Sequence, residues 1–142
     1  MILSELDQRL KALADPTRLR ILNLLMQGEL CGCDIQYVLG LTQSNVSRHL
    51  AYLKHSGWVA DRREGYRVFY GLADAARHWQ PLLAFLRSMF QRDRLLRQDR
   101  ARLRRAVGQG ACQLRAEARP QDDAAEGARA CSFRTSAMRS NA

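Results

Sequence analysis

No stretch of this 142-residue chain approaches the ~18 consecutive apolar residues of a membrane-spanning helix. Its first residues, Met1 to Asp7, meet charge almost at once and contain no apolar run of signal-peptide length. The chain is therefore expected to stay in the cytoplasm, with no membrane partner. In that compartment its four cysteines (Cys31, Cys33, Cys112 and Cys131) are expected as thiols rather than structural disulfides. Several chemistries lack their motifs. There is no P-loop, nucleophile elbow, His-Glu-x-x-His pair, dinucleotide glycine fingerprint or Cys-x-x-Cys, so the chain is read as a binding protein, not an enzyme. Acidic residues are also scarce: 14 Asp and Glu stand against 23 Lys and Arg, giving a net charge of +9. Nearly all of the basic residues are Arg, whose planar fork suits phosphate and guanine. A basic domain of this size points to a polyanion, with nucleic acid ahead of an anionic membrane surface.

With 46% hydrophobic residues the chain can bury a core. Ser4 is placed to cap a first helix carrying Leu6, Leu10 and Leu13 on one stripe. Asp15-Pro16 then opens a second helix, expected to run to about Gln27 and to stop at Gly28. A short third helix is expected from about Cys33 to Gly40, and a fourth, capped by Thr42, from Gln43 to about Ser56. The Gly-bearing link between them is the turn of a helix-turn-helix. Two strands, 58–63 and 66–72, follow as a hairpin. From about Asp74 one long helix is expected, with Leu82, Leu86, Met89, Leu96, Leu103 and Val107 as a packed seam. The fold class is thus mainly α with a β-hairpin, a homodimeric winged helix-turn-helix with a long C-terminal helix. Its expected divisions are 1–95 for the DNA-binding domain, 96–107 for an extension of the dimer helix, and 108–142 for a disordered tail.

On the fourth helix Val46, Leu50 and Leu53 define a buried face, leaving Ser44, Ser47, Arg48, Ala51 and His55 outward. Gln43, Ser44, Asn45, Ser47 and Arg48 fall in its first turns, the part of a recognition helix that reaches base edges. The hairpin tip adds Arg62, Arg63 and Arg67, as a wing lying on phosphates would. Helix, wing and charge together point to double-stranded DNA. A two-fold dimer would present its recognition helices about one turn apart, roughly 34–36 Å, to an inverted repeat.

Cys31 and Cys33 flank one glycine at a helix entry, where both sulfurs can meet one ion and the helix N-terminus favours thiolate. Thiolates select soft cations: As(III), Sb(III), Cd(II), Pb(II), Zn(II) or Cu(I). Two buried cysteines packing as small hydrophobes fit the spacing equally well.

Here the sequence resembles the ArsR/SmtB family of metal-responsive repressors. The resemblance is carried by Leu13-Ala-Asp-Pro-Thr-Arg-Leu-Arg-Ile-Leu22, Glu29-Leu-Cys-Gly-Cys-Asp-Ile35 and Thr42-Gln-Ser-Asn-Val-Ser-Arg-His-Leu50. It continues through Leu53-Lys-His-Ser-Gly-Trp-Val59 and Arg63-Glu-Gly-Tyr-Arg-Val-Phe-Tyr70, covering about residues 4–95. It implies a homodimer with no permanent cofactor that represses a resistance operon and leaves DNA on binding inducer. Leu-Cys-x-Cys-Asp is similar to the arsenite/antimonite and cadmium/lead branches. The arsenite branch has a third cysteine where this chain has Gln36, and no cysteine precedes Cys31 as the cadmium/lead branch would require. Cys112, or else Cys131, is then the expected third thiolate. Two thiolates would suffice for a methylated arsenic(III). Thiol oxidation at Cys31 and Cys33, a thiol-based arsenic-handling or redox enzyme, and a protein-interaction module are the rival readings.

Overall fold

The structure, a computed structural model, describes residues 2–65 and 67–109. Its elements are α1 (Ile2–Leu13), α2 (Pro16–Leu25), β1 (Leu30–Cys31), α3 (Gly32–Leu39), α4 (Gln43–His55), β2 (Val59–Glu64) and β3 (Arg67–Leu72). A 3-10 turn (Asp74–Trp79), α5 (Gln80–Arg92) and α6 (Arg94–Gln109) complete them. No described helix is long and apolar enough to cross a membrane. Cys112, Cys131 and the expected tail from 110 onward lie outside the described residues.

The middle of the chain folds as its punctuation dictates. Asp15 caps α2 by accepting from the Arg18 backbone N–H at 3.0 Å, with Pro16 in the first turn. Gly40 closes α3 at φ +68°, a left-handed cap that a side chain would strain, and its N–H donates to the Gln36 carbonyl at 2.8 Å. Two residues later Thr42 Oγ1 accepts from the Asn45 N–H at 3.2 Å and caps α4. Val46, Leu50 and Leu53 are buried, as their spacing predicts. They join Ile21, Leu22, Leu24, Ile35 and the fully enclosed Trp58 in one core.

Three expectations change. Ser4 does not cap the first helix: α1 already begins at Ile2, and its buried positions are Arg9 and Ala12, whereas Leu10 is exposed. Arg9 is drawn inward because its guanidinium lies over the rings of Trp58 (5.2 Å) and Trp79 (4.9 Å). The second change is an added strand. Leu30 and Cys31 pair with Tyr70 and Phe69, making a three-stranded antiparallel sheet in the order β1-β3-β2. The third concerns the C-terminus, where the long helix exists but is not continuous with α5. Asp93 takes an extended conformation (ψ 132°), and its Oδ1 accepts from the Leu96 N–H at 2.9 Å, capping a new helix.

That break turns α6 back onto the domain. Leu96, Leu103 and Ala106 are buried in the core, and α6 packs on α2, α3 and α5. Within one chain, residues 96–107 are therefore packed against the domain through Leu96, Leu103 and Ala106. The contact is held by polar groups as well. Arg20 Nε and Nη2 donate to the two oxygens of Asp99 at 2.8 and 3.0 Å, and Asn23 Nδ2 donates to the Leu96 carbonyl at 3.0 Å. Arg100 Nη1 in turn donates to Asn23 Oδ1 at 2.6 Å.

Candidate metal centre and nucleic-acid interface

The sulfurs of Cys31 and Cys33 and a carboxylate oxygen of Asp34 lie within 4.8 Å of one another. Cys31 and Asp34 are buried, and Cys33 is half-buried. Local structure sets this cluster. Cys31 ends β1 and is the N-cap of α3, so the chain turns from strand to helix between the two cysteines. Asp34 Oδ2 accepts from the Cys31 N–H at 3.2 Å, closing the first turn. Two thiolates and a carboxylate suit a soft or borderline cation. Cys33 is disulfide-bonded in this structure, so it offers a thiolate only after reduction. Gln36, the position of the third cysteine in the resemblance, is buried one turn further on. Its Oε1 has no hydrogen-bond partner among the described residues.

Asp34 is the donor that sequence reasoning passed over. It stood inside the quoted motif, and its adjacency to Cys33 was the available signal. Cys112, the expected third thiolate, falls outside the described residues.

Gln43, Ser44, Ser47 and Arg48 are exposed on α4 and Asn45 is half-exposed, so the expected base-reading residues share one accessible stretch. Arg48 Nη2 donates to Asn45 Oδ1 at 3.1 Å, which fixes the two side chains relative to each other. Lys54 Nζ lies 2.9 Å from Asp61 Oδ2 and ties the end of α4 to the base of the wing.

The wing residues differ from one another. Arg63 is exposed, and the backbone of Arg67 stands opposite that of Glu64 in register at the end of the hairpin. Arg62 is engaged within the protein. Its Nε and Nη2 donate to Glu29 Oε1 (3.2 and 2.9 Å), and its Nη1 donates to Glu64 Oε2 (2.9 Å). Its guanidinium carbon lies 4.8 Å from the Phe69 ring centroid. Glu29 first, then Glu64, holds its pKa above the ordinary arginine value.

His49, expected to pack rather than ligate, is buried on α4 with Nδ1 3.9 Å from Asp15 Oδ1. Burial pushes its pKa below the usual histidine value, outweighing the opposing pull of Asp15. A folded value below the unfolded one means that the unfolded chain binds the proton first. The stabilisation is complete above about pH 6.5 and is lost as pH falls through the lowered folded value. Urea denaturation between pH 7.5 and 5.0 is expected to show this loss, and His49→Gln to flatten it; an unchanged slope in that variant would contradict the assignment.

The model of the family described as "Bacterial regulatory protein, arsR family" matches residues 15–61. The chain is 47% identical over 73 residues to the arsenical resistance operon repressor of Escherichia coli, a match covering 51% of this chain and 62% of that protein. It is 44% identical over 70 residues to the arsenic resistance transcriptional regulator ArsR1 of Pseudomonas putida, covering 49% and 55%. The chain thus spans somewhat over half the length of these curated relatives, which are transcriptional regulators rather than enzymes. Among solved structures it is similar to the homodimeric winged helix-turn-helix DNA-binding domain of a possible ArsR-family regulator from Mycobacterium bovis. That likeness has a TM-score of 0.54 and 34% identity, over 66% of this chain and 88% of the other. The sheet, the helix-turn-helix and the matched residues lead to one conclusion: the chain belongs to the arsR family of bacterial regulatory proteins.

Proposed function

We propose that this protein is a transcriptional repressor that binds an inverted-repeat operator as a homodimer and leaves it when trivalent arsenic or antimony is held by Cys31 and Cys33. The observation that carries the reading is the placement of both sulfurs at the start of α3, the helix that leads through Gly40 into α4. The arsenic-resistance relatives favour the metalloid. The exposed residues of α4, with Arg63 and Arg67 on the wing, supply the DNA contacts. Unpartnered apolar side chains support the dimer: Ile2 (81% exposed) and Leu3 (78%) on α1, and Phe85 (59%) on α5. They offer a second copy an apolar surface that α6, folded back, does not cover.

A bound ion supplies one positive centre for donors that otherwise serve the fold. Cys31 and Cys33 would turn their sulfurs toward it, and Asp34 would exchange its bond to the Cys31 N–H for a new partner, loosening the first turn of α3. Displacing α4 by an ångström or two then removes base contacts worth about 1–3 kcal/mol each. A second reading, a divalent ion such as Cd(II) or Pb(II), is favoured by Asp34, because a carboxylate oxygen suits these ions better than it suits As(III).

The test is release from a DNA duplex selected by the protein from a random pool, under a non-thiol reductant. Arsenite is expected to lower DNA affinity between about 5-fold and 150-fold. Release by Cd(II) alone, with loss of that release in Asp34→Asn, would establish the second reading. Release by peroxide alone, without reductant, would replace both with thiol oxidation.

A further inference from the structure

We propose that the cross-strand row Cys31–Phe69–Arg62, closed by Glu29, couples the thiol site to the wing, making Arg62 and Glu29 positioning residues rather than DNA contacts. The proposal rests on the thiol-site reading above but departs from its route, which ran through α3 and α4 alone.

The row follows from sheet register. Cys31 pairs with Phe69 between β1 and β3, and Phe69 pairs with Arg62 between β3 and β2, so the three stand side by side on one face of the sheet. Phe69 is buried in contact with Cys31 and Cys33, in a small cluster separate from the main core. On its other side the ring carries the Arg62 guanidinium at 4.8 Å. A close-packed cluster of this kind does not absorb a shift of its sulfurs; the ring must move with them.

Glu29 makes the row a closed circuit. It immediately precedes β1, and its Oε1 takes two of the Arg62 donors, so the segment bearing the thiols and the wing strand are joined by a second, charged link. The sheet leaves room for this reach. A Cβ added at Gly71 would come within 3.1 Å of Glu29 Cγ, so glycine there lets the Glu29 chain cross β3 toward β2. With two carboxylates already on it, Arg62 offers phosphate no net positive charge in this arrangement. Movement of Phe69 would alter its seat and, with it, the wing carrying Arg63 and Arg67.

The experiment uses the full chain under a non-thiol reductant, with cadmium chloride and sodium arsenite as separate probes and the selected duplex as DNA. Three quantities are read: metal affinity from thiolate charge-transfer absorbance, the ratio of DNA affinities without and with metal, and the Arg62 Nε–Hε NMR signal of the DNA-free protein. That signal is assigned by its disappearance in Arg62→Lys. Metal is expected to shift the signal. Glu29→Gln, at an exposed position just before β1, and Gly71→Ala, at a half-buried position of β3, are expected to keep metal affinity within about two-fold and to cut the affinity ratio at least about five-fold. Glu29→Gln should bind metal-free DNA as well as the parent or better, since it removes a negative charge near the wing.

Parental ratios in both variants, or an unmoved Arg62 signal while metal still releases DNA, would overturn the coupling and leave the repressor reading intact. A shifted signal without DNA release would do the reverse. No metal binding at all would remove both.

Discussion

Asp99→Ala is expected to destabilise the protein by about 3–5 kcal/mol, the loss typical of breaking a buried ion pair from one side. Asp99 is fully buried (0% exposed), and both of its oxygens are taken by Arg20 in a bidentate pair. Arg20 retains 19% of its side-chain surface, so the orphaned guanidinium can partly reach water, which places the expected cost toward the lower end. The pair joins α2 to α6 and sits beside the Asn23–Leu96 and Arg100–Asn23 bonds. Losing it would loosen the charged part of the polar fastening that holds α6 over Leu96, Leu103 and Ala106. Two measurements separate the ways this can happen. Urea denaturation at fixed protein concentration reads the global loss, and amide hydrogen exchange across 94–109 reads local undocking of α6. Replacing both partners, as Arg20→Met with Asp99→Leu, should recover most of the stability, because the desolvation cost of both charges disappears with them. A single variant within 1 kcal/mol of the parent in both measurements would show that α6 is held by its apolar face and the Asn23 bonds without the ion pair.

That fastening marks where sequence reading reached its limit. α2, α3, α4 and the hairpin were legible because each boundary carries a local chemical signal: Asp15 and Thr42 as caps, and Gly40 as a left-handed stop. The break at Asp93 carried a cap residue too. The leucine spacing ran across it without a missed step, however, and periodicity cannot tell a continuous seam from two helices folded together. Whether Leu96 and Leu103 meet a second copy or α2 depends on Arg20 finding Asp99, 79 residues away, which no local pattern reports. β1 was illegible for a different reason. Two residues are too few for alternation, and its existence is decided by Tyr70 and Phe69 on a distant strand. The candidate thiol pair was legible from its spacing and its place before a helix. The place of Phe69 beside it became visible once β1 paired with β3.

Cys31→Ser and Cys33→Ser, each alone, are expected to abolish metal-dependent release, bringing the ratio of DNA affinities without and with arsenite from between about 5 and 150 to near one. Their metal-free DNA binding should stay within about two-fold of the parent. The separation is physical. Neither sulfur lies among the exposed groups of α4 or at the tip of the wing, so removing one subtracts no DNA contact. Serine also serves the cap that Cys31 occupies: it is a preferred N-cap residue, and Asp34 can still accept from its backbone N–H. At Cys33 the half-buried side chain tolerates an oxygen of nearly the same shape. What serine cannot do is offer a thiolate, and a hydroxyl near neutral pH is a poor donor to a soft cation. Mobility-shift titrations with and without arsenite, with thiolate charge-transfer absorbance as an independent measure of metal uptake, check both halves. Release preserved in both variants would place the sensing thiols elsewhere, with Cys112 and Cys131 next to be replaced. Loss of metal-free DNA binding in either variant would mean that the β1–α3 junction shapes the DNA-bound form directly, and that the thiols maintain the reading head as well as switch it.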